Sequence, residues 1–188
     1  MATNTTMPNF TIRKATAADA PLILTLIREL ADYERLPHEV VADEELLKTH
    51  LFGKHPAAEV IIGSLGSEPV GFALFFPTFS TFLGHPGLYL EDLYVRPAVR
   101  GRGIGRTMLA YVAHLAVERG CGRLEWAVLD WNAAAIGFYR KVGAAPMDEW
   151  TVFRLAGEAL EALANERNSF RAPGTARVKG GNGVVGHG

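Results

Sequence analysis

Residues 96–106 read Arg96-Pro97-Ala98-Val99-Arg100-Gly101-Arg102-Gly103-Ile104-Gly105-Arg106, and the fold turns on how this stretch is taken. Ahead of it, Gly87–Val95 reads as a strand. Behind it, Ile104, Met108, Tyr111, Val112 and Leu115 recur at helical spacing until Gly120 stops the pattern. The stretch is therefore a strand-to-helix turn with glycines at 101, 103 and 105. Such a turn bends tightly, keeps side chains away from a close ligand, and leads into a helix whose unpaired N–H groups favour an anion. Four arginines, 96, 100, 102 and 106, surround it. Two readings stay open on these residues: a phosphate or pyrophosphate cradle, or a plain turn with solvated arginines. No Gly-Lys-Ser/Thr follows, so the P-loop pattern fails. The Gly-x-Gly-x-x-Gly fingerprint fails too, with Arg106 or Met108 at its third position; Asp130 after the next strand does not rescue it.

Working outward, Phe10–Ala15 reads as a strand, and Thr16-x-x-Asp19 resembles a capping box ahead of a helix with Ile23, Ile27, Leu30 and Ala31 on one face. A short helix fits Asp43–Phe52, and strands fit Glu59–Leu65 and Val70–Phe76 around a turn at Gly66–Pro69. After the central helix, Leu124–Leu129 reads as a strand. Asn132 caps a helix bearing Ala135, Ile136, Tyr139 and Val142, which Gly143 closes. A last strand fits Trp150–Leu155, and a short helix Gly157–Ala164. The order β-α-α-β-β-β-α-β-α-β predicts an α/β (α+β) fold, a mixed and mostly antiparallel sheet with helices on both faces.

The 188 residues suit one domain with tails: a loose start at 1–8, a domain at 9–165, and a disordered, basic, Gly-rich segment at 166–188. Composition, 48% hydrophobic and 21% charged, excludes a wholly disordered chain. The net charge of −1 gives no electrostatic call for nucleic acid. One cysteine, Cys121, excludes an internal disulfide, and six scattered histidines give no metal-ligand spacing, so no metal is expected. No apolar run is long enough for a membrane helix and the start has no secretory pattern, so the expected location is cytoplasmic.

Arg100-Gly101-Arg102-Gly103-Ile104-Gly105 resembles the R/Q-x-x-G-x-G/A motif of the GCN5-related N-acetyltransferases (GNAT), and Asn132-x-x-Ala135-x-x-Phe138-Tyr139-x-x-x-Gly143 resembles their next helix. The resemblance covers residues 10–163. Tyr89-Leu-Glu91-Asp92-Leu-Tyr94-Val95 and Ala127-Val-Leu-Asp130-Trp131-Asn132 are similar to its diamine-acetylating branch. It implies acetyl transfer from acetyl-CoA to a primary amine of a small diamine or lysine-like molecule, thialysine first and polyamines second, by direct attack in a ternary complex. Ser80, where the polyamine enzymes have an acidic residue, and the short loop after Gly143 depart from the polyamine pattern. A homodimer is implied as well. Acetylation of a protein amine or another metabolite, and a non-catalytic acetyl-CoA sensor, are the competing readings.

The resemblance assigns roles. Arg100, Gly101, Arg102, Gly103, Ile104, Gly105 and Arg106 would hold the pyrophosphate. Leu93, Tyr94 and Val95 would bond the pantetheine arm as an added strand. Asn132, Ala133, Ala134 and Ala135 would contact the cofactor, Asn132 also serving as helix cap. An alkylamine with a pKa near 10.4 is free base in roughly one molecule in 2,500 at pH 7. A base is needed, and Glu91 is the candidate, directly or through water. Glu91 and Asp92 adjoin on a strand and are expected on opposite faces. Tyr139 is the candidate acid for the departing thiolate. Substrate-side candidates are Tyr33, Glu34, Glu91, Asp92, Glu125, Trp126 and Asp148.

Overall fold

The computed structural model describes residues 9–166. Of the two expected tails, residues 1–8 and 167–188 lie outside the described residues, while Glu166 caps the final helix. The chain forms two compact units that part between Lys141 and Val142.

The first unit carries a five-stranded sheet in the order β1-β2-β3-β4-β5: Phe10–Lys14, Glu59–Leu65, Glu68–Ser80, His85–Val95 and Leu124–Glu125. The first four strands are antiparallel, and β5 joins β4 in parallel. Val60, Ile61 and Ile62 of β2 are all buried, as a strand covered on both faces requires. Helices α1 (Ala20–Glu34) and α2 (Glu44–Phe52) cover one face, where Ile23, Leu26, Leu51, Val60, Phe72 and Tyr94 form one cluster. Helix α3 (Ile104–Glu118) covers the other. There Gly63 lies so close under Met108 and Phe10 that a Cβ would come within 3.0 Å of the sulfur and 2.9 Å of the ring.

Local chemistry sets the helix starts. The Thr16 amide donates to Asp19 Oδ2 at 2.8 Å, and Arg13 donates to both Asp19 oxygens at 2.8 and 2.6 Å. Pro21 sits in the first turn of α1, where the missing N–H leaves no bond unmade. The Leu46 amide donates to Asp43 Oδ1 at the start of α2. Ion pairing also ties α1 to the end of β4: Arg96 donates to Glu29 at 2.8 Å and to the Pro69 carbonyl at 2.9 Å. Arg96 is thereby a bracing residue rather than part of an anion cradle, which corrects the count of four arginines there.

Two expected strands differ. The strand at 124–129 pairs with β4 only through Leu88–Leu124 and Tyr89–Glu125, and residues 126–129 then leave the sheet. The strand at 150–155, in the second unit, does not form. That unit holds α5 (Gly157–Asn165), and its residues 150–155 pair with no described strand. Alternation gives a segment the means to lie in a sheet, but a strand also needs a neighbour's backbone groups. Val152 and Phe153 remain 85% and 92% exposed. No helix of the described residues is long and apolar enough to cross a membrane.

Phe72 is fully buried where α1 and α2 meet the sheet; Phe72→Ala is expected to cost ~3–5 kcal/mol, read by urea unfolding. The hydrogen bonds from Arg13, followed by those from Thr16, hold the Asp19 carboxyl down at about 2 against its burial. The stability it contributes is therefore full above the unfolded value near 3.8 and is lost as pH falls through about 2. Asp19→Asn should lower the urea midpoint at pH 6 and leave it unchanged near pH 1.5.

Candidate active site

Between β4 and the segment that follows β5 lies a cleft of about 540 Å³, built within the first unit. Its origin is the short β4–β5 pairing. Past Tyr89 strand β4 pairs with no described strand on that side, and Leu93, Tyr94 and Val95 line the opening. Trp126, Ala127 and Val128 form the facing wall, because they diverge from β4 instead of continuing its ladder. The geometry leaves room for an extended ligand to lie along β4 as a strand would.

The loop after β4 closes one end. Gly101 and Gly103 have φ of 77° and 85°, a region that costs other residues strain. The first intrahelical bond of α3 runs from the Thr107 amide to the Gly103 carbonyl, so the amides of residues 104–106 have no partner within the helix. Arg100, Gly101, Gly103, Ile104, Gly105 and Arg106 line the cleft. Arg102 and Ala133, also expected at the cofactor, are exposed and do not line it. The Arg100 guanidinium lies 4.2 Å over the Tyr33 ring, and its Nε donates to the Val95 carbonyl at 2.8 Å.

Asn132 caps α4 (Ala133–Lys141) as expected: its Oδ1 accepts from the Ala135 amide at 3.2 Å. The same oxygen accepts from the Tyr33 hydroxyl at 3.3 Å, so this buried cap also ties α4 to the end of α1. Asn132, Ala134 and Ala135 line the cleft. Tyr139 follows on α4, its ring 4.9 Å from that of Trp126 and 5.2 Å from that of Phe138. Burial, and secondarily the charge of Glu34, raise its phenol above the ordinary value, so it stays protonated at neutral pH.

The carboxylates depart from the expected arrangement. Register shifts between Leu74 and Phe75, which pair with Asp92 and Leu90, so Glu91 is bulged out of the ladder. Glu91 and Asp92 both line the cleft, as all of Leu90–Val95 do, and Asp92 also lines a neighbouring cavity that Glu91 does not. Glu91 is exposed. Asp92 is much more enclosed: burial, then Glu91, then Glu34 push its carboxyl up to about 7. Glu34 lines the same cleft, and burial raises its carboxyl too. Of the other substrate-side candidates, Tyr33 and Trp126 line the cleft. Glu125 does not; Arg123 donates to it at 2.7 Å. Asp148 belongs to the second unit, where it is exposed. Ser80 is buried and its Oγ accepts from the Leu83 amide, which makes it a turn cap. Leu30, Leu90, Phe138 and Lys141 complete the lining. Sequence reasoning missed Lys141, the last residue of α4 and two positions after Tyr139.

Residues 23–144 match the Acetyltransferase (GNAT) family. Bos taurus thialysine N-epsilon-acetyltransferase is 40% identical over 166 residues, spanning 82% of this chain and 97% of its own length. L-ornithine N5-acetyltransferase NATA1 of Arabidopsis thaliana is 34% identical over 197 residues, spanning 81% of this chain and 86% of its own. Among solved structures, an integron cassette protein from the mobile metagenome of V. cholerae superimposes with a TM-score of 0.71 at 26% identity, covering 84% of this chain and 99% of its own. With the family match over most of the chain and relatives near 40% identity beside the open strand edge and the glycine turn at a helix start, the chain belongs to the acetyltransferase (GNAT) family.

Proposed function

We propose that this enzyme acetylates a primary amine of a small diamine or lysine-like acceptor, with acetyl-CoA as donor. The observation that carries this reading is the single cleft that joins an unpaired strand edge, an anion-suited helix start, a protonated phenol and acidic side chains. Thialysine stands first among acceptors and polyamines second. The similarity to enzymes named for thialysine and L-ornithine supports that order. So does Ser80, a turn cap without the charge that a long polycation would meet. The transferase domain is read as residues 9–165, and the resemblance to the diamine branch supports a homodimer.

The residues fit the donor. The amides of residues 104–106 with Arg100 and Arg106 would hold its pyrophosphate, and the free edge at Leu93–Val95 would bond its pantetheine arm. When bound, acetyl-CoA supplies the acetyl group as a thioester open to attack by an amine. Tyr33 and Asn132 hold α1 against α4 and so fix the width of the cleft. Glu34, Glu91 and Asp92 attract the cationic acceptor to the same place. Glu91, exposed at the bulge, takes the ammonium proton out to solvent, directly or through water. Tyr139 makes no hydrogen bond through its hydroxyl to any described residue, so its proton is available to the sulfur. The main gain is from holding amine and thioester together, and no covalent enzyme adduct is involved.

CoA-thiol release with thialysine, lysine, short diamines, spermidine and a lysine peptide tests the reading. Thialysine or a short diamine is expected to react best; release with none of them, despite acetyl-CoA binding, would reject it. Tyr139→Phe is expected to lower kcat at least ~100-fold with acetyl-CoA affinity within about threefold, by stopped assays and calorimetry. Arg106→Ala is expected to weaken acetyl-CoA binding about tenfold, with the loss smaller at high salt.

A further inference from the structure

The direction of the last backbone groups of β4 follows from its ladder with β3. The Arg96 amide donates to the Val70 carbonyl at 2.9 Å, and Val95 lies opposite Gly71. Bonded and non-bonded positions alternate along an antiparallel pair. At Val95, one residue earlier, the amide and carbonyl therefore point away from β3, to the open edge. Leu93 shares that parity, and Tyr94 has the opposite one. The Val95 carbonyl is thus an acceptor on the edge along which an extended ligand would lie. Arg100 holds it, with Nε donating at 2.8 Å. The same guanidinium lies 4.2 Å over the Tyr33 ring and 5.6 Å over that of Tyr94. Arg100 is itself exposed and lines the cleft beside Gly101 and Gly103. Arg96, by contrast, is fixed on Glu29 and the Pro69 carbonyl, and Arg102 does not line the cleft.

We propose that Arg100 determines which donors can use the strand edge: it keeps the Val95 carbonyl from thioesters that carry no phosphate, and yields it to one whose pyrophosphate draws the guanidinium away. The proposal rests on the acetyl-CoA reading above and adds a selection among donors to it. A thioester arm without phosphate has to take the Val95 carbonyl from Arg100 and offers the cation nothing in return. The guanidinium then leaves a carbonyl and two aromatic faces for water alone. Such an arm gains one hydrogen bond at the expense of contacts already made, so the site discriminates against it by an unfavourable exchange rather than by shape.

A pyrophosphate at the glycine loop reverses the balance. Its oxygens match the planar N–H fork of Arg100, and charge-assisted bonds of that kind are roughly twice as strong as bonds between neutral groups. The amides of residues 104–106, which have no partner within the helix, hold the same anion. Arg100 then exchanges a carbonyl for phosphate oxygens, and the Val95 carbonyl is left for an N–H of the arm. Only hydrogen bonds and ring contacts change. Because the anion and the arm act on one side chain, each tightens the binding of the other by the same factor.

The test splits the donor into two probes and titrates each into the full chain by calorimetry: pantetheine, the arm without phosphate, and ADP, which brings a pyrophosphate. In wild type, saturating ADP is expected to tighten pantetheine about tenfold, and saturating pantetheine to tighten ADP equally. Arg100→Ala, with its urea midpoint as the check of folding, is expected to bind pantetheine about tenfold tighter than wild type does alone and to gain nothing from ADP. The same variant is expected to bind CoA more weakly. A residue that merely contacts phosphate predicts the last result and neither of the others. Arg100→Gln keeps an N–H donor at the same position along the side chain but carries no charge. It is expected to bind pantetheine as weakly as wild type, with or without ADP. Pantetheine affinity unchanged in Arg100→Ala, or unmoved by ADP in wild type, overturns the proposal. Failure of wild type to acetylate any amine from acetyl-CoA would instead reject the transfer reading, while the calorimetry still decides the role of Arg100.

Discussion

Strand β4 keeps β3 along one edge for its whole length and loses β5 along the other after two residue pairs. That asymmetry is the constraint on which the site depends. A strand fully paired on both edges has no backbone group to offer a ligand, and one unpaired on both would not hold its position. Here the β3 ladder and the buried side chains of Leu88, Leu90 and Tyr94 fix the strand, while past Tyr89 its other edge pairs with no described strand and the Val95 carbonyl accepts from Arg100 Nε. The divergence of residues 126–129 supplies the opposite wall without any insertion of chain.

The bulge at Glu91 is the second consequence of the same strand. It costs one ladder position and brings two successive carboxylates to one cleft. Burial raises the Asp92 carboxyl most, and the charges of Glu91 and then Glu34 add to it. Glu34, arriving from α1, acts on Asp92 and on Tyr139 together. A single acidic side chain at the end of α1 therefore raises the proton affinity of groups on two other elements.

That placement of Glu34 depends on how α1 ends. Arg35 caps the helix at φ 63°, a left-handed conformation unusual for a side chain of its size, and lies 5.2 Å over the Trp131 ring. Tyr33 reaches Asn132, and Arg100 stacks on Tyr33. The end of α1, the start of α4 and the glycine loop are thus joined by aromatic and polar contacts rather than by burial alone.

Much of this was legible in the chain. Apolar spacing located α1, α3 and α4, the turn residues at Gly66, Gly120 and Gly143 stood where elements end, and Arg100–Gly105 marked the anion-suited loop. Periodicity and caps are local, and so one sequence determines them. Pairing is not local. Trp150–Leu155 alternates like a strand and forms none because no described neighbour meets it. Residues 126–129 read as a strand and serve as a wall. Arg96 sat beside the loop in sequence yet belongs to Glu29, 67 positions away. The sequence by itself determined the five α-helices, the first four strands and the family, and it placed the glycine loop at the start of a helix. Only the tertiary structure decided which side chains share an enclosure, because the bulge, the parting of two strands and the burial of Asp92 arise from contacts between distant segments.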